Sequence, residues 1–382
     1  MCRIRIAATV LLLIFLSTVT TGVSGQTFSV LYNFGSHTGD PLSPEFSGII
    51  AEGRDGNLYT TTPLGGSSHN CSCGTVFQIT PTGKLNVLYS FDGPHGAIAT
   101  GGLTLAKDGN FWGTTAAGGD FLVGTAFKIT PQGKLTVLHS FSYEQVPQAP
   151  PIQAKAGNFY GTAEFGGNGL VGDVYRLTPH GKVTPIYQFQ QHKGAYAPIA
   201  PLVQATDGYF YGTTSRGGSD APYGEVFKVA SQGKLTPVHI FKKSDGANPY
   251  APVIQGSDGN FYGTTVFGGA NNSGVVFRVS AAGKSSVLHQ FNGSDGANPY
   301  AGLVQARDGN LYGVASSGGS NNSGTIYRIT SSGSFTVLHN FDGAAGATPT
   351  VTLIQSKSGV LYGDTQSGGS GGSGVFYSLD LR

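Results

Sequence analysis

Apolar residues in this chain come in short runs, and the runs return on a fixed period. Each is a few residues rich in Val, Thr, Tyr and Phe, bounded by Gly, Asn, Asp or Ser. That composition suits strands, and the boundaries suit tight turns. The clearest copies read DGNFYGTT at Asp258–Thr265 and DGNLYG at Asp308–Gly313. The turn glycine recurs at Gly56, Gly109, Gly157, Gly208, Gly259, Gly309 and Gly359, in steps of 53, 48, 51, 51, 50 and 50 residues. A period near fifty built from strand-like units predicts a radial array of small sheets.

One unit resolves between Pro299 and Phe341. A short strand at Leu303–Gln305 enters the Asp308-Gly309-Asn310 turn, whose residues favour the positive φ of tight hairpins. A second strand starts at Leu311. A loop with Gly318-Gly319 leads to a third strand over Thr325–Thr330, and a turn at Ser331–Gly333 to a fourth over Phe335–Phe341. Consecutive apolar positions such as Val76-Phe77, Val226-Phe227 and Val276-Phe277 mark strands buried on both faces. The expected fold is therefore all-β: a seven-bladed β-propeller of four-stranded antiparallel blades. The ends predict how the ring closes. Phe28–Phe34 is a fourth-strand copy, whereas the last unit stops after a third-strand copy at Gly374–Leu379. The N-terminal strand is expected to complete the last blade and to hide its edge.

Gly accounts for 61 of 382 residues and charged residues for only 11%. Gly at fixed intervals marks turns, and the scarcity of Lys and Glu argues against long helices. Arg3 and Arg5 precede an apolar run, Ile6–Leu16, followed by small residues up to Gly25. This reads as a signal peptide over residues 1–25, cleaved near Gly25, with the propeller at 26–382. The run is too short for a stable membrane span, so no membrane insertion is expected. Removing two Arg leaves 20 basic against 20 acidic residues. A neutral chain has no field to steer toward nucleic acid.

The stretch Val287–Thr330, VLHQFNGSDGANPYAGLVQARDGNLYGVASSGGSNNSGTIYRIT, resembles the GloVer repeat of exported bacterial proteins, often called choice-of-anchor tandem-repeat proteins. The resemblance covers nearly all of the chain after residue 25, most closely at 238–330 and least at 142–200. It implies export and propeller-like repeats, and it brings no established catalytic residues. Some members end in a sorting or anchoring tail. This chain stops at Arg382 directly after its last strand, so an unanchored form is expected.

The two tight turns of each unit share one face. It carries Asp55, Asp108, Asp207, Asp258 and Asp308 beside Lys84, Lys134, Lys182, Lys234 and Lys284, a self-neutralising solvated rim. Gln153, Gln204, Gln255, Gln305 and Gln355 share a register on the innermost strand, where pairing with neighbouring backbone is expected. His139, His239, His289 and His339 fall on the outermost strand, too far apart to share a metal.

The opposite face holds the long loops, where a rigid scaffold presents binding groups. Tyr250 and Tyr300 close the repeated Asp-Gly-Ala-Asn-Pro-Tyr segments and could stack on sugars; the alternative is that these segments only shape the crossover. Blades three and four break the repeat's own rule. Glu164 replaces Thr or Ser at the end of a second strand. Asp173 and Glu225 replace Thr or Val at the start of a third, with Arg216 and Asp220 in the adjoining loop. Such carboxylates could act as general acid and base on a sugar or hold Ca²⁺, the alternative being solvent-exposed drift. His69, Cys71 and Cys73 form an H-x-C-x-C in the first Gly-Gly loop, open to a disulfide, to free thiols, or to a soft-metal site lacking its fourth ligand.

The functional expectation is an exported, secreted, periplasmic or surface-located propeller, non-enzymatic and monomeric, with no cofactor. Its long-loop face would hold a glycan, a peptide or a surface protein, with Tyr250, Tyr300, Arg216 and Asp220 as candidate binding residues. The alternative is a carbohydrate-active hydrolase or lyase using Glu164, Asp173, Glu225 and Arg216.

Overall fold

The computed structural model describes residues 25–45, 48–68, 71–142, 145–166, 171–190, 194–217 and 219–382. The expected signal peptide lies outside them, apart from Gly25. Among the described residues there is no helix. The chain forms a seven-bladed β-propeller with mostly four-stranded antiparallel blades. A representative blade has strands at Val304–Gln305, Leu311–Ala315, Thr325–Ile329 and Phe335–Asn340, within a residue of the sequence expectation. The blade that contains Ile354–Gln355, Leu361–Asp364 and Val375–Asp380 takes its outermost strand, Thr27–Asn33, from the other end of the chain.

Second and third strands are buried along nearly their whole length because each blade is covered on both faces by its neighbours. Seven apolar clusters fill the seven seams. The seam between last and first blades holds Tyr362, Phe376, Leu58, Phe77 and Phe34. Aromatic rings stack across four seams: Tyr59 on Phe111 at 4.1 Å, Trp112 on Phe159 at 3.7 Å, Tyr160 on Phe210 at 4.1 Å and Tyr211 on Phe261 at 3.9 Å. Such pairs add to area burial and fix blade spacing.

Two further devices repeat. The innermost Gln of one blade accepts a hydrogen bond from a turn amide of the preceding blade: Gln153 from Lys107 at 2.7 Å, Gln305 from Ser257 at 2.8 Å, Gln355 from Arg307 at 2.9 Å. Between the last and first blades Glu52 takes the Gln position, accepting from the Lys357 amide at 3.0 Å. Leu105 breaks the series; there Arg54 donates to the Lys107 carbonyl instead. The second device is a β-bulge. In every blade the register between third and outermost strands slips at one place, for example between Val174 and Tyr175. In six of the seven blades the carbonyl of the skipped residue meets a turn glycine of the next blade. At Gly233, which has φ +93°, a Cβ would stand 1.9 Å from the Ile186 oxygen. The glycine is required there by close approach as well as by its dihedral.

Candidate functional site

The tight-turn face is chemically occupied by its own structure. In Asp258-Gly259-Asn260 the Asp258 carboxylate accepts from the Asn260 amide (3.1 Å), its Nδ2 (2.7 Å) and the Tyr262 hydroxyl (2.7 Å). Asp55 and Asp308 repeat this with Tyr59 and Tyr312. Partial burial pushes the Asp258 carboxyl up, but the bonds from Asn260 and Tyr262 outweigh it and hold it below its ordinary value. Burial and the adjacent carboxylate push the Tyr262 phenol up to about 12. The Asp and Lys residues of the expected solvated rim are all exposed. Among the described residues no Asp–Lys ion pair forms; the ion pairs there join His or Arg382 to Asp. The carboxylates are consumed within the turn because the neighbouring Asn and Tyr are nearer and better aligned donors. The outer-strand histidines are local too: His289 Nε2 lies 3.0 Å from Asp295, and the ring stacks on Phe335 at 3.6 Å.

On the long-loop face, the residue five places before each innermost Gln position is Thr100, Gln148, Ile199, Tyr250, Tyr300 or Thr350 in blades two to seven. Two successive pairs are in contact. The Thr100 hydroxyl donates to Gln148 Oε1 at 3.3 Å, and Tyr250 and Tyr300 meet edge to face at 5.4 Å. These positions therefore make an arc around the mouth of the ring. Gln148 Nε2 donates to Glu164 at 3.0 Å, which places Glu164 on the same arc. Gln366, at the register of Glu164, donates to Glu45 at 2.9 Å. Both tyrosines are half-buried. Asn248 and Asn298 precede them with φ of 56° and 53°, and their side chains donate to the Ser215 and Val266 carbonyls. The Asn-Pro part of the motif thus shapes the crossover and leaves the two rings side by side.

The rule-breaking carboxyls of blades three and four go elsewhere. Asp173 is fully buried at the start of its strand. Its Oδ2 accepts from Gln145 Nε2 at 2.5 Å, and its Oδ1 has no partner. Burial pushes this carboxyl up to about 7 against the pull of Gln145. Glu225, at the same register one blade on, is 4% exposed and also raised to about 7 by burial. It lines a cavity of about 310 Å³ with Tyr187, Phe189, Asp220, Leu235 and Pro237. Solvent-exposed drift is thus excluded for both: their register points into the seams. Arg216 is exposed, paired along the backbone with Tyr196. Among the described residues no hydrogen bond or ion pair joins Glu164 or Asp173 to Glu225 or Arg216. Asp220 and Glu225 share a cavity, whereas Glu164 and Asp173 each bond to the crossover that carries Gln145 and Gln148.

Cys71 and Cys73 are joined in a disulfide, so neither sulfur is a thiolate available to a metal. His69 lies outside the described residues, among which no cluster of metal-ligating side chains occurs. One acid escaped the sequence reading. Asp364 is fully buried in the last blade, neither oxygen has a partner, and burial raises it to about 8. Its register holds Thr61, Thr114, Thr162, Thr213, Thr264 and Val314 in the other blades. The same search for broken rules would have found it.

The family model of the Gloeobacter/Verrucomicrobia repeat matches residues 18–150, 143–305 and 202–382. No curated protein matches the chain in sequence. Among solved structures, a streptogramin B lyase is similar at TM-score 0.64 and 16% identity, over 94% of this chain and 98% of its own. The extracellular domain of a hybrid two-component system from B. thetaiotaomicron gives 0.60 and 10%, over 93% of this chain and 39% of that one. A 6-phosphogluconolactonase-like protein of Bacteroides fragilis gives 0.52 and 17%, over 80% and 87%. At these identities the likeness is one of fold.

Proposed function

We propose, from the premise that the chain belongs to the Gloeobacter/Verrucomicrobia repeat family, that it is an exported, non-enzymatic propeller binding a glycan at the mouth of its long-loop face. The observation that carries this reading is the contact of Tyr250 with Tyr300 at a crossover position that in other blades holds Thr100 and Gln148, the latter bonded to Glu164. Aromatic faces cover the apolar side of a sugar ring, and a few fixed polar groups orient its hydroxyls. Export is supported by the Cys71–Cys73 disulfide, which suits an oxidising compartment. Among the described residues no helix is long and apolar enough to cross a membrane.

A second reading, a carbohydrate-active hydrolase or lyase, is favoured by the Glu225 carboxyl, poised near neutrality in a cavity. Against it, Asp173 is engaged by Gln145 inside a different seam, and the second carboxyl of the cavity, Asp220, is exposed and accepts from the Ser219 hydroxyl. The test is a glycan array run in parallel with a reducing-sugar assay. Binding without turnover, lost in the Tyr250→Ala/Tyr300→Ala double variant, supports the first reading. Turnover abolished by Glu225→Gln overturns it in favour of the second.

A further inference from the structure

The starts of the seven third strands are Thr75, Thr125, Asp173, Glu225, Val275, Thr325 and Val375, all buried. Two of these seven are acids, in adjacent blades, and the protein treats them differently. At Asp173 the chain supplies a donor: Gln145 reaches in from the crossover and places its amide N–H on Oδ2. At Glu225 it supplies none. The Glu225 backbone amide is bonded to the Thr214 hydroxyl, but its carboxyl has no hydrogen-bond partner among the described residues. In place of a donor there is a cavity. Unlike the sealed oxygens of Asp364, the Glu225 carboxyl opens onto this cavity and can accept a hydrogen bond from a donor that enters it.

The lining narrows what fits. One wall is aromatic, Tyr187 and Phe189 from the outermost strand of blade three and its exit; the facing wall is Leu235 and Pro237 of blade four. Two acids lie in it, Glu225 within and the exposed Asp220, and no described cationic side chain lines it. An anion is repelled, and a neutral sugar would leave the acids unneutralised. A positive N–H donor on an apolar stem satisfies every wall: the ammonium meets the carboxylates and the ring face of Tyr187, and the stem lies between the aromatic and aliphatic sides.

We propose that the cavity between blades three and four binds a protonated primary amine carried on an alkyl stem, with Glu225 as its anchor. The site is separate from the arc at the mouth and does not rest on the glycan reading. The amine could be a free alkylamine or the side chain of a lysine; the chemistry is shared.

The test uses purified protein titrated with n-butylammonium chloride, with n-pentanol as the neutral isostere, followed by ligand-observed NMR and thermal shift. A third arm uses N-acetyl-lysine-N-methylamide. Saturable binding of n-butylammonium and not of n-pentanol is expected, weakened at least tenfold in Glu225→Gln. Glu225→Thr restores the residue that Thr125 and Thr325 provide at this register, so it keeps the fold while removing the anchor; it should also lose binding. Asp173→Asn should leave binding unchanged. Binding in the lysine arm as well assigns the site to a protein side chain, and its failure there assigns it to a free amine. Equal affinity for n-pentanol, retention in both Glu225 variants, or no saturable n-butylammonium binding overturns the proposal. Neither outcome bears on glycan binding, which is read separately on Tyr250 and Tyr300.

Discussion

Deleting residues 26–36 removes a segment that resembles a disposable tail and should destabilise the whole ring. The segment contributes the outermost strand of the last blade, paired from Thr27–Asp380 to Asn33–Val375. Phe34 is fully buried against Phe77 of the first blade at 5.6 Å, and its amide donates to the Gly374 carbonyl at 2.9 Å. Phe28 stacks on His339 of the neighbouring blade at 3.8 Å. The Tyr32 hydroxyl donates to Asp40 at 2.9 Å. Val30, at 37% exposure, adds little, contrary to what its place in the strand implies. Burying Phe34 is worth about 1.5–3 kcal/mol, and the half-buried Phe28 and Tyr32 together about as much again. Ladder hydrogen bonds add about 0.5–1.5 kcal/mol each. Burial alone comes to about 3–6 kcal/mol, so with the ladder bonds the loss is comparable to a typical net stability of about 5–15 kcal/mol. Thermal melts with size-exclusion chromatography of the full and truncated proteins provide the assay. Phe34→Ala should fall between them, at a cost of about 3–5 kcal/mol. If the truncated protein melts within about two degrees of the full one and stays monomeric, the reasoning fails.

Asp364→Thr should stabilise the protein by about 1–3 kcal/mol, replacing an unpartnered buried carboxyl with the hydroxyl whose equivalent in Thr264 donates to the next blade's Ala301 carbonyl at 2.8 Å; urea melts measure it. Because the folded Asp364 is raised to about 8, it holds a proton between pH 4 and 8 that the unfolded chain releases, so stability should fall with rising pH across that window, and the slope should flatten in Asp364→Thr. Tyr262→Phe should cost about 0.5–1.5 kcal/mol, and since the folded phenol is raised to about 12, its contribution is complete below pH 10 and lost as pH climbs toward 12. Gly259→Ala meets open space at φ +80° and should cost about 1–2 kcal/mol, whereas Gly233→Ala drives a Cβ into the Ile186 carbonyl and should cost clearly more in the same denaturant series.

Blade number, strand count and the pairing of innermost Gln with neighbouring backbone were legible because each repeats: a signal seen seven times survives local noise. The candidate site was legible only in part. Tyr250 and Tyr300 were visible as a repeated motif, but their mutual contact depends on ring curvature, which no single repeat encodes. Asp173 and Glu225 were visible as exceptions, yet their burial follows from a register that points into the seam. The closing of one by Gln145 and the opening of the other depend on crossovers whose lengths differ between blades. The solvated rim was legible from its alternating charges, whereas the use of the carboxylates inside each turn, by donors such as Asn260 and Tyr262 two and four residues away, was not.

The strand at Thr27–Asn33 carries a consequence in time. Asn33 accepts from the Ser370 amide across 337 residues of chain. At a synthesis rate of about 5–20 residues per second, the first strand is made roughly 20–70 s before its partner exists. Every other strand meets a neighbour within its own blade soon after it is made. For most of its own birth, then, the protein is an open arc with one unmatched edge at the front and another advancing at the rear. An unpaired edge is a template for any passing strand, including that of a second nascent copy. The ring must be kept from joining a stranger until its last blade arrives.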